Sequence, residues 1–125
     1  MITVEKVLKI HDVLIHEFGG KAGIRDLAVL ESAINRPFTG VADQEFYPTI
    51  EEKAAVYLES IVAGHPFSDG NKRTGYVLMR LFLLENNKDI LVSEDEKYEL
   101  VISVASGRVT FDEIVSWIKR HITTL

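Results

Sequence analysis

The sequence of 125 residues is 46% hydrophobic, has a mean hydropathy of +0.08 and carries a formal net charge of −5. These values predict a single globular domain over residues 1–125, since the chain is long enough for one hydrophobic core and too short for two. The acidic balance argues against direct binding to nucleic acid or to anionic membranes, and the lack of cysteine excludes a disulfide framework.

No segment is apolar over a sufficient length to cross a bilayer. The best candidate, residues 76–84, is interrupted by Arg80 and is shorter than a membrane span. The mixed polar and apolar N-terminus does not resemble a signal peptide. Together with the absence of cysteine, these features favour a cytoplasmic location.

Apolar residues recur at helical spacing between Val4 and Phe18, which predicts a first helix with Thr3 as its N-cap and Gly19-Gly20 at its end. His11 lies on the apolar stripe of this helix. We expect it to be a buried histidine that hydrogen-bonds a backbone carbonyl or a nearby carboxylate, and not a catalytic group.

A second, short helix is predicted after Asp26, which can cap it, and must stop near Asn35 because Arg36 precedes a proline. Residues 37–48 then lack helical periodicity and contain scattered aromatic side chains. Two interpretations are open from these residues alone. The segment is either an exposed binding edge or a loop whose aromatic residues cover the core.

Capping boxes, a Ser or Thr followed three residues later by Glu, stand before helical stripes at residues 49–52, 93–96 and 110–113. A further helix, from residue 71 to about 87, is apolar on nearly every side, which marks it as a central buried helix. No alternating strand pattern of any length occurs. The sequence therefore predicts an all-α fold, with six helices in a bundle around this central helix.

The stretch between the third and fourth helices, residues 65–74, reads His-Pro-Phe-Ser-Asp-Gly-Asn-Lys-Arg-Thr. A glycine before a helix start, followed by Lys72 and Arg73, is typical of a phosphate site, because free backbone N–H groups and the helix dipole attract an anion. Asp69 supplies the carboxylate that Mg²⁺ needs beside bound phosphates. The alternative is a polar loop that only caps a buried helix. The clustering of an imidazole, a carboxylate and two cations disfavours it.

This stretch resembles the signature of the Fic/Doc superfamily, a histidine, a phenylalanine two residues on, an acidic residue and a Gly/Ala-Asn-Gly/Lys-Arg block. The lysine at position 72 is similar to the Doc ("death on curing") toxin branch. The resemblance covers nearly the whole chain and implies a Fic/Doc-like bundle. Outside the motif it rests on residues 10–12, 18–20, 23, 26, 33–36 and 105–107.

Transfer of a phosphoryl or nucleotidyl group needs a metal to bridge phosphates, cations to hold charge, and a base for the acceptor hydroxyl. Histidine is the residue whose ordinary pKa suits the last role near neutral pH. ATP and Mg²⁺ are the expected ligands. The predicted roles are His65 as base, Asp69 as Mg²⁺ ligand, Gly70, Asn71 and Lys72 as phosphate cradle, Arg73 as phosphate-chain ligand, and Phe67 as anchor of the loop in the core.

Two differences from the pattern of AMP-transferring Fic enzymes indicate which part of ATP is transferred. Fic enzymes that move AMP have Gly-Asn-Gly-Arg and a second arginine three residues later, whereas this chain has Lys72 and Tyr76 at those places. The resemblance to Doc implies a kinase that transfers the γ-phosphoryl of ATP to a threonine of elongation factor Tu and blocks translation. The alternatives are an AMP transferase acting on a protein hydroxyl, and a catalytically silent chain that serves as an antitoxin-binding partner.

The resemblance also implies how the protein is controlled. Self-restrained Fic proteins carry a Ser/Thr-x-x-x-Glu-Gly/Asn helix, and the one Glu-Asn pair here, Glu85-Asn86, has Leu81 where the Ser or Thr should be. In the Doc branch, restraint comes from an antitoxin whose C-terminal segment folds as a helix into a groove on the toxin. The resemblance also bears on residues 37–48. In Fic/Doc proteins a flap at this place in the chain aligns the target segment beside the motif, so the resemblance favours the interpretation of these residues as a binding edge.

Overall fold

The computed structural model describes residues 1–125, and six α-helices make up most of the chain. The six predicted helices are confirmed, and the fourth ends two residues earlier than predicted, at Glu85. The helices are α1 (Val4–Phe18), α2 (Leu27–Asn35), α3 (Ile50–Gly64), α4 (Asn71–Glu85), α5 (Glu94–Ala105) and α6 (Phe111–His121).

Side-chain caps set most of the helix starts. Each capping oxygen accepts a hydrogen bond from an N–H group of the first turn, which would otherwise have no partner. The full capping box forms before α5 and α6, whereas before α3 the glutamate contacts the hydroxyl of the cap and not its N–H. The caps are Thr3, Asp26, Thr49, Ser93 and Thr110, as predicted.

The all-α prediction is incomplete, because the chain also forms two short antiparallel ribbons. β1 (Gly40–Val41) pairs with β2 (Gln44–Glu45), and β3 (Lys88–Ile90) pairs with β4 (Ile122–Thr124). Strands of two or three residues are too short for an alternating pattern to be recognised in the sequence. The second ribbon ties the end of α4 to the segment after α6.

Helices α3 and α4 form the most extensive helix pair. α3 also packs against α2, α5 and α6, and α4 against α1, α5 and β3. Close approach of the pair depends on Gly75, since a Cβ there would lie 2.8 Å from a Val62 methyl and 3.3 Å from the Leu58 carbonyl oxygen. The interior is thus shared by two helices, and a single central α4 stays a prediction.

The loop between α3 and α4 carries the motif, and the loop between α1 and α2 lies against it. The carbonyl of Pro66 accepts hydrogen bonds from the N–H groups of Arg25 and Asp26, and the N–H of Ser68 donates to the Gly23 carbonyl. These contacts fix the motif between two helix junctions. None of the helices has the length and apolar character that spanning a membrane requires.

Candidate active site

His65 caps the C-terminal end of α3 in the left-handed conformation, with φ 52° and ψ 55°. This conformation is uncommon for a residue with a side chain, and the surroundings hold it in place. The guanidinium of Arg25 donates to the carbonyls of His65, at 2.7 Å, and of Gly64, at 3.0 Å. The imidazole itself is exposed and has no hydrogen-bond partner, so its nitrogens are free to meet a substrate hydroxyl.

Phe67 points the other way, into the core, with 1% of its surface exposed. Its ring stacks on the imidazole of His11, with 3.7 Å between centroids and 5° between planes. His11 is buried and its Nε2 lies 2.8 Å from the carbonyl oxygen of Asp69, to which it donates. The prediction of a buried histidine bonded to a backbone carbonyl is therefore confirmed. The carbonyl belongs to the motif itself.

The side chain of Asn71 closes the motif loop from inside. It is 8% exposed, its Oδ1 accepts from the N–H of Phe67 at 3.0 Å, and its Nδ2 donates to the carbonyl of the same residue at 2.9 Å. The amide is thus engaged by the protein. What it leaves for a ligand is its backbone N–H at the start of α4.

Asp69 is exposed and bound by backbone donors. Its Oδ2 accepts from the N–H of Lys21 at 3.0 Å and its Oδ1 from the N–H of Gly70 at 2.8 Å. The Lys21 bond first, and then the Gly70 bond, hold the pKa of this carboxyl below its ordinary value, so it is ionised at neutral pH. Each oxygen keeps a further lone pair for a cation.

These properties fit a single-carboxylate Mg²⁺ ligand. No three histidine, aspartate or glutamate side chains converge anywhere in the structure. A metal at Asp69 would therefore take its other ligands from water and substrate phosphates, which is how Mg²⁺ is usually bound in phosphoryl-transfer sites.

Helix α4 begins with free donors. Gly70 adopts the left-handed conformation, with φ 77°, and provides no side-chain cap. The N–H groups of Asn71, Lys72 and Arg73 have no hydrogen-bond partner, and the positive end of the helix dipole adds to their attraction for an anion. Lys72 and Arg73 are exposed and neither pairs with a carboxylate. The start of α4 thus offers unpaired donors and positive charge, which an anion could bind.

The guanidinium of Arg73 is held by an aromatic ring. Its Cζ lies 4.0 Å from the ring centroid of Phe18, the last residue of α1, whose side chain is 61% exposed. A cation–π contact of this kind orients the guanidinium and leaves its charge uncompensated. Sequence analysis placed Phe18 on the apolar stripe of α1 and among the residues that resemble the family, but gave it no role at the site. Its exposed ring beside a motif cation could not be foreseen from periodicity.

A cleft of about 500 Å³ joins these groups, within the range usual for small-molecule sites. The motif and Tyr76 of α4 form one wall. The other wall is α5, which sequence analysis did not connect with the site. The α5 residues that line the cleft are Glu94, Lys97, Tyr98, Val101 and Ile102.

The segment 37–48 divides into a packed part and an exposed part. Tyr47 is half-buried and its ring contacts that of Phe111. Phe38 contacts the ring of Phe82 and still has 57% of its surface exposed. Val41 and Phe46, on the β1–β2 ribbon, have 65% and 56% of their surface exposed. The half-buried Tyr47 helps to cover the core, as one interpretation expects. The binding edge stays a prediction, for which the exposed apolar side chains of the ribbon are available.

Comparison with known proteins places the site in a family. The model of the Fic/DOC family matches residues 1–83, and the chain belongs to the Fic/Doc family, as its motif predicted. It is 31% identical over 119 residues to "Protein kinase doc" of Escherichia phage P1, an alignment that covers 95% of this chain and 93% of the relative. It is 33% identical over 101 residues to "Toxin Doc" of Mycolicibacterium smegmatis, with 79% and 78% covered.

Proposed function

We propose that this protein is a Doc-like toxin of a type II toxin–antitoxin system that transfers the γ-phosphoryl of ATP to a threonine hydroxyl of elongation factor Tu. The name of one relative supports a toxin, and the name of the other supports a kinase. The observation that carries the proposal is the free imidazole of His65 in one cleft with an ionised Asp69 and the unpaired N–H groups of α4.

The reaction balances as a direct displacement. The threonine oxygen forms a bond to the γ-phosphorus while the bond from that phosphorus to the bridging β–γ oxygen breaks, and the hydroxyl proton passes to His65. ADP leaves. The N–H groups at the start of α4, with Lys72 and Arg73, hold the phosphate oxygens in position, and Mg²⁺ on Asp69 would supply further neutralising charge there.

Two residues favour phosphoryl transfer over AMP transfer. Lys72 places a side chain in the cleft where AMP-transferring Fic enzymes have glycine, and so restricts their phosphate pose. Tyr76, where those enzymes carry a second arginine, is 6% exposed. Burial raises the pKa of its hydroxyl, which stays neutral and cannot replace a cation.

Control by an antitoxin completes the proposal. Exposed apolar side chains at the end of α1, among them Phe18 at 61%, offer anchors for an amphipathic segment. The C-terminal segment of the antitoxin would fold as a helix into a groove that includes this surface. Behind the groove, α4 would be the central helix of the bundle. A target in the translation apparatus accords with a cytoplasmic location.

The transfer experiment separates the three hypotheses. The purified chain is incubated with elongation factor Tu, Mg²⁺ and ATP labelled at either the α- or the γ-phosphorus. We expect only the γ-label to reach the protein. Transfer of the α-label would identify an AMP transferase, and transfer of neither would favour the silent antitoxin-binding partner.

Two histidine variants control this experiment. His65→Ala should abolish transfer and leave the helical content unchanged, because the exposed ring contributes little to packing. His16→Ala removes an exposed histidine of α1 that lies outside the cleft and should leave transfer intact. Full activity of His65→Ala would refute the assignment of the base.

A cradle variant tests the choice of transferred group. Lys72→Gly removes the side chain that restricts the phosphate pose, and some transfer of the α-label is expected. If none is detected, the argument from the lysine is wrong or the missing arginine at position 76 matters as well.

Expression with and without a neighbouring open reading frame tests the control. Alone, the folded wild-type chain should arrest growth, and co-expression of a small neighbouring protein, or of its C-terminal peptide, should restore it. Harmless expression of soluble wild-type chain would contradict the proposal.

A further inference from the structure

Lys97 is the one cationic residue of α5, and it forms no ion pair with the carboxylates of its own helix. No Lys97 ion pair forms, although four acidic residues stand within three positions of it. Its Nζ instead lies 4.9 Å from the ring centroid of Tyr76, across on α4. The acidic neighbours on α5 are Glu94, Asp95, Glu96 and Glu99.

The ring of Tyr76 is a fixed platform for this ammonium. It is 6% exposed and lines the cleft one turn after Arg73. A cation–π contact orients an ammonium without neutralising it, whereas a carboxylate partner would cancel its charge toward a ligand. The half-buried Lys97 thus lines the cleft with an ammonium group that no carboxylate pairs with.

The two walls of the cleft present cations to each other. Lys72 and Arg73 stand at the start of α4, Lys97 stands on α5, and none of the three has a carboxylate partner. Asp69 and Glu94 are the acidic groups that line the same cleft. Uncompensated cations on facing walls, beside free N–H groups, are what a chain of several phosphates requires.

We propose that Lys97 is a phosphate-binding residue of the cleft, which contacts the polyphosphate of the nucleotide from the α5 wall. The proposal rests on the proposed function for the identity of the ligand, and it adds a residue outside the motif to the site. It assigns α5 a part in binding the nucleotide.

Variants at position 97 isolate the charge from the packing. Lys97→Met keeps an unbranched stem over the Tyr76 ring and removes the ammonium, with Lys97→Gln as a second neutral variant in case the first does not fold. Lys97→Arg keeps the charge. Lys119→Met, at an exposed lysine of α6 outside the cleft, is the matched control.

Calorimetric titration measures binding of ATP with Mg²⁺, and of inorganic tripolyphosphate, at low and high ionic strength. The neutral Lys97 variants should bind both ligands about tenfold more weakly at low ionic strength, a loss that shrinks as salt screens the charge. The Lys97→Arg and Lys119→Met variants should bind close to wild type. Binding of both ligands by the neutral variants as tightly as by wild type would overturn the proposal.

The same data separate a structural role from a binding role. If Lys97→Arg loses as much affinity as the neutral variants, the residue supports the wall and does not bind phosphate, which also overturns the proposal. Failure of the proposed function gives a different result. Wild type would then bind polyphosphate through Lys97 without transferring phosphoryl to elongation factor Tu, or would bind neither ligand, in which case both proposals fall.

Discussion

The substitution Asn71→Ala tests whether the motif loop is held from within by one side chain. The Asn71 amide makes two hydrogen bonds to the backbone of the buried Phe67, at 2.9 and 3.0 Å. Alanine removes both bonds and leaves a buried N–H and a buried carbonyl without partners. The backbone N–H at position 71, one of the unpaired donors at the start of α4, is retained.

The cost follows from these two bonds. A buried polar group left without a partner costs about 1–3 kcal/mol, so two such groups should lower the free energy of unfolding by about 2–6 kcal/mol. A domain of this size has a total of about 5–15 kcal/mol, and the variant should therefore remain folded. In urea, with a slope of about 2 kcal/mol per M, the midpoint of unfolding should fall by about 1–3 M.

The asparagine that caps the C-terminal end of α4 provides the control. Asn86, at the opposite end of the helix, makes one hydrogen bond, from its Nδ2 to the Phe82 carbonyl at 2.9 Å. Asn86→Ala should cost about 1 kcal/mol and leave phosphoryl transfer unchanged. Asn71→Ala should lose most of its transfer activity, because the loop that places His65 and Asp69 is no longer fixed. Equal urea midpoints for the two variants would refute the reasoning.

Three further substitutions test other contacts. Thr74→Val should raise the stability toward denaturant by about 1 kcal/mol, because the buried Thr74 hydroxyl has no hydrogen-bond partner; a loss of stability would disprove this. Hydrogen bonds from Arg80 are the main cause that lowers the pKa of Asp89 in the folded protein. The ion pair therefore stabilises the fold fully above the pKa of Asp89 in the unfolded chain, near 3.9, and this contribution is lost as the pH falls through the lower pKa of the folded state. In thermal melts over a pH series, Asp89→Asn should have a lower melting temperature than wild type at pH 7 and a smaller fall in melting temperature on acidification. If the fall on acidification is the same as in wild type, the Arg80–Asp89 pair is not its cause. Arg25→Ala should lower kcat with little change in KM for ATP, because Arg25 holds the carbonyl of His65; a change confined to KM would contradict that role.

The local features of the fold were predictable because each depends on residues close in sequence. The caps at Thr3, Asp26 and Ser93 follow from short patterns whose hydrogen bonds span three residues. The motif between α3 and α4 was recognisable for the same reason, since its charged and flexible residues are contiguous. The prediction of Fic/Doc membership began from this contiguous motif, and the family match over residues 1–83 confirms it.

What could not be predicted depends on residues that only the fold brings together. Lys97 reaches the cleft because α5 packs beside α4, and Phe18 meets Arg73 because α1 ends there. Arg25 lies in a loop that looked unremarkable and carries no periodic signal. Each of these contacts spans at least 21 residues, a separation at which periodicity gives no information. The short ribbons were missed for the opposite reason, because two or three residues are too few to show a pattern.

The motif divides its residues by the direction in which they face. Phe67 and Asn71 face inward, and the polar groups there are satisfied within the protein by one another. His65 and Lys72 face the cleft, and neither side chain has a partner. Buried polar groups need hydrogen-bond partners within the protein, whereas exposed polar groups without such partners can bond to a ligand. A ligand in the cleft would therefore meet free donors, free cations and a free imidazole on a loop that is held from within, which is the positioning that the proposed phosphoryl transfer needs.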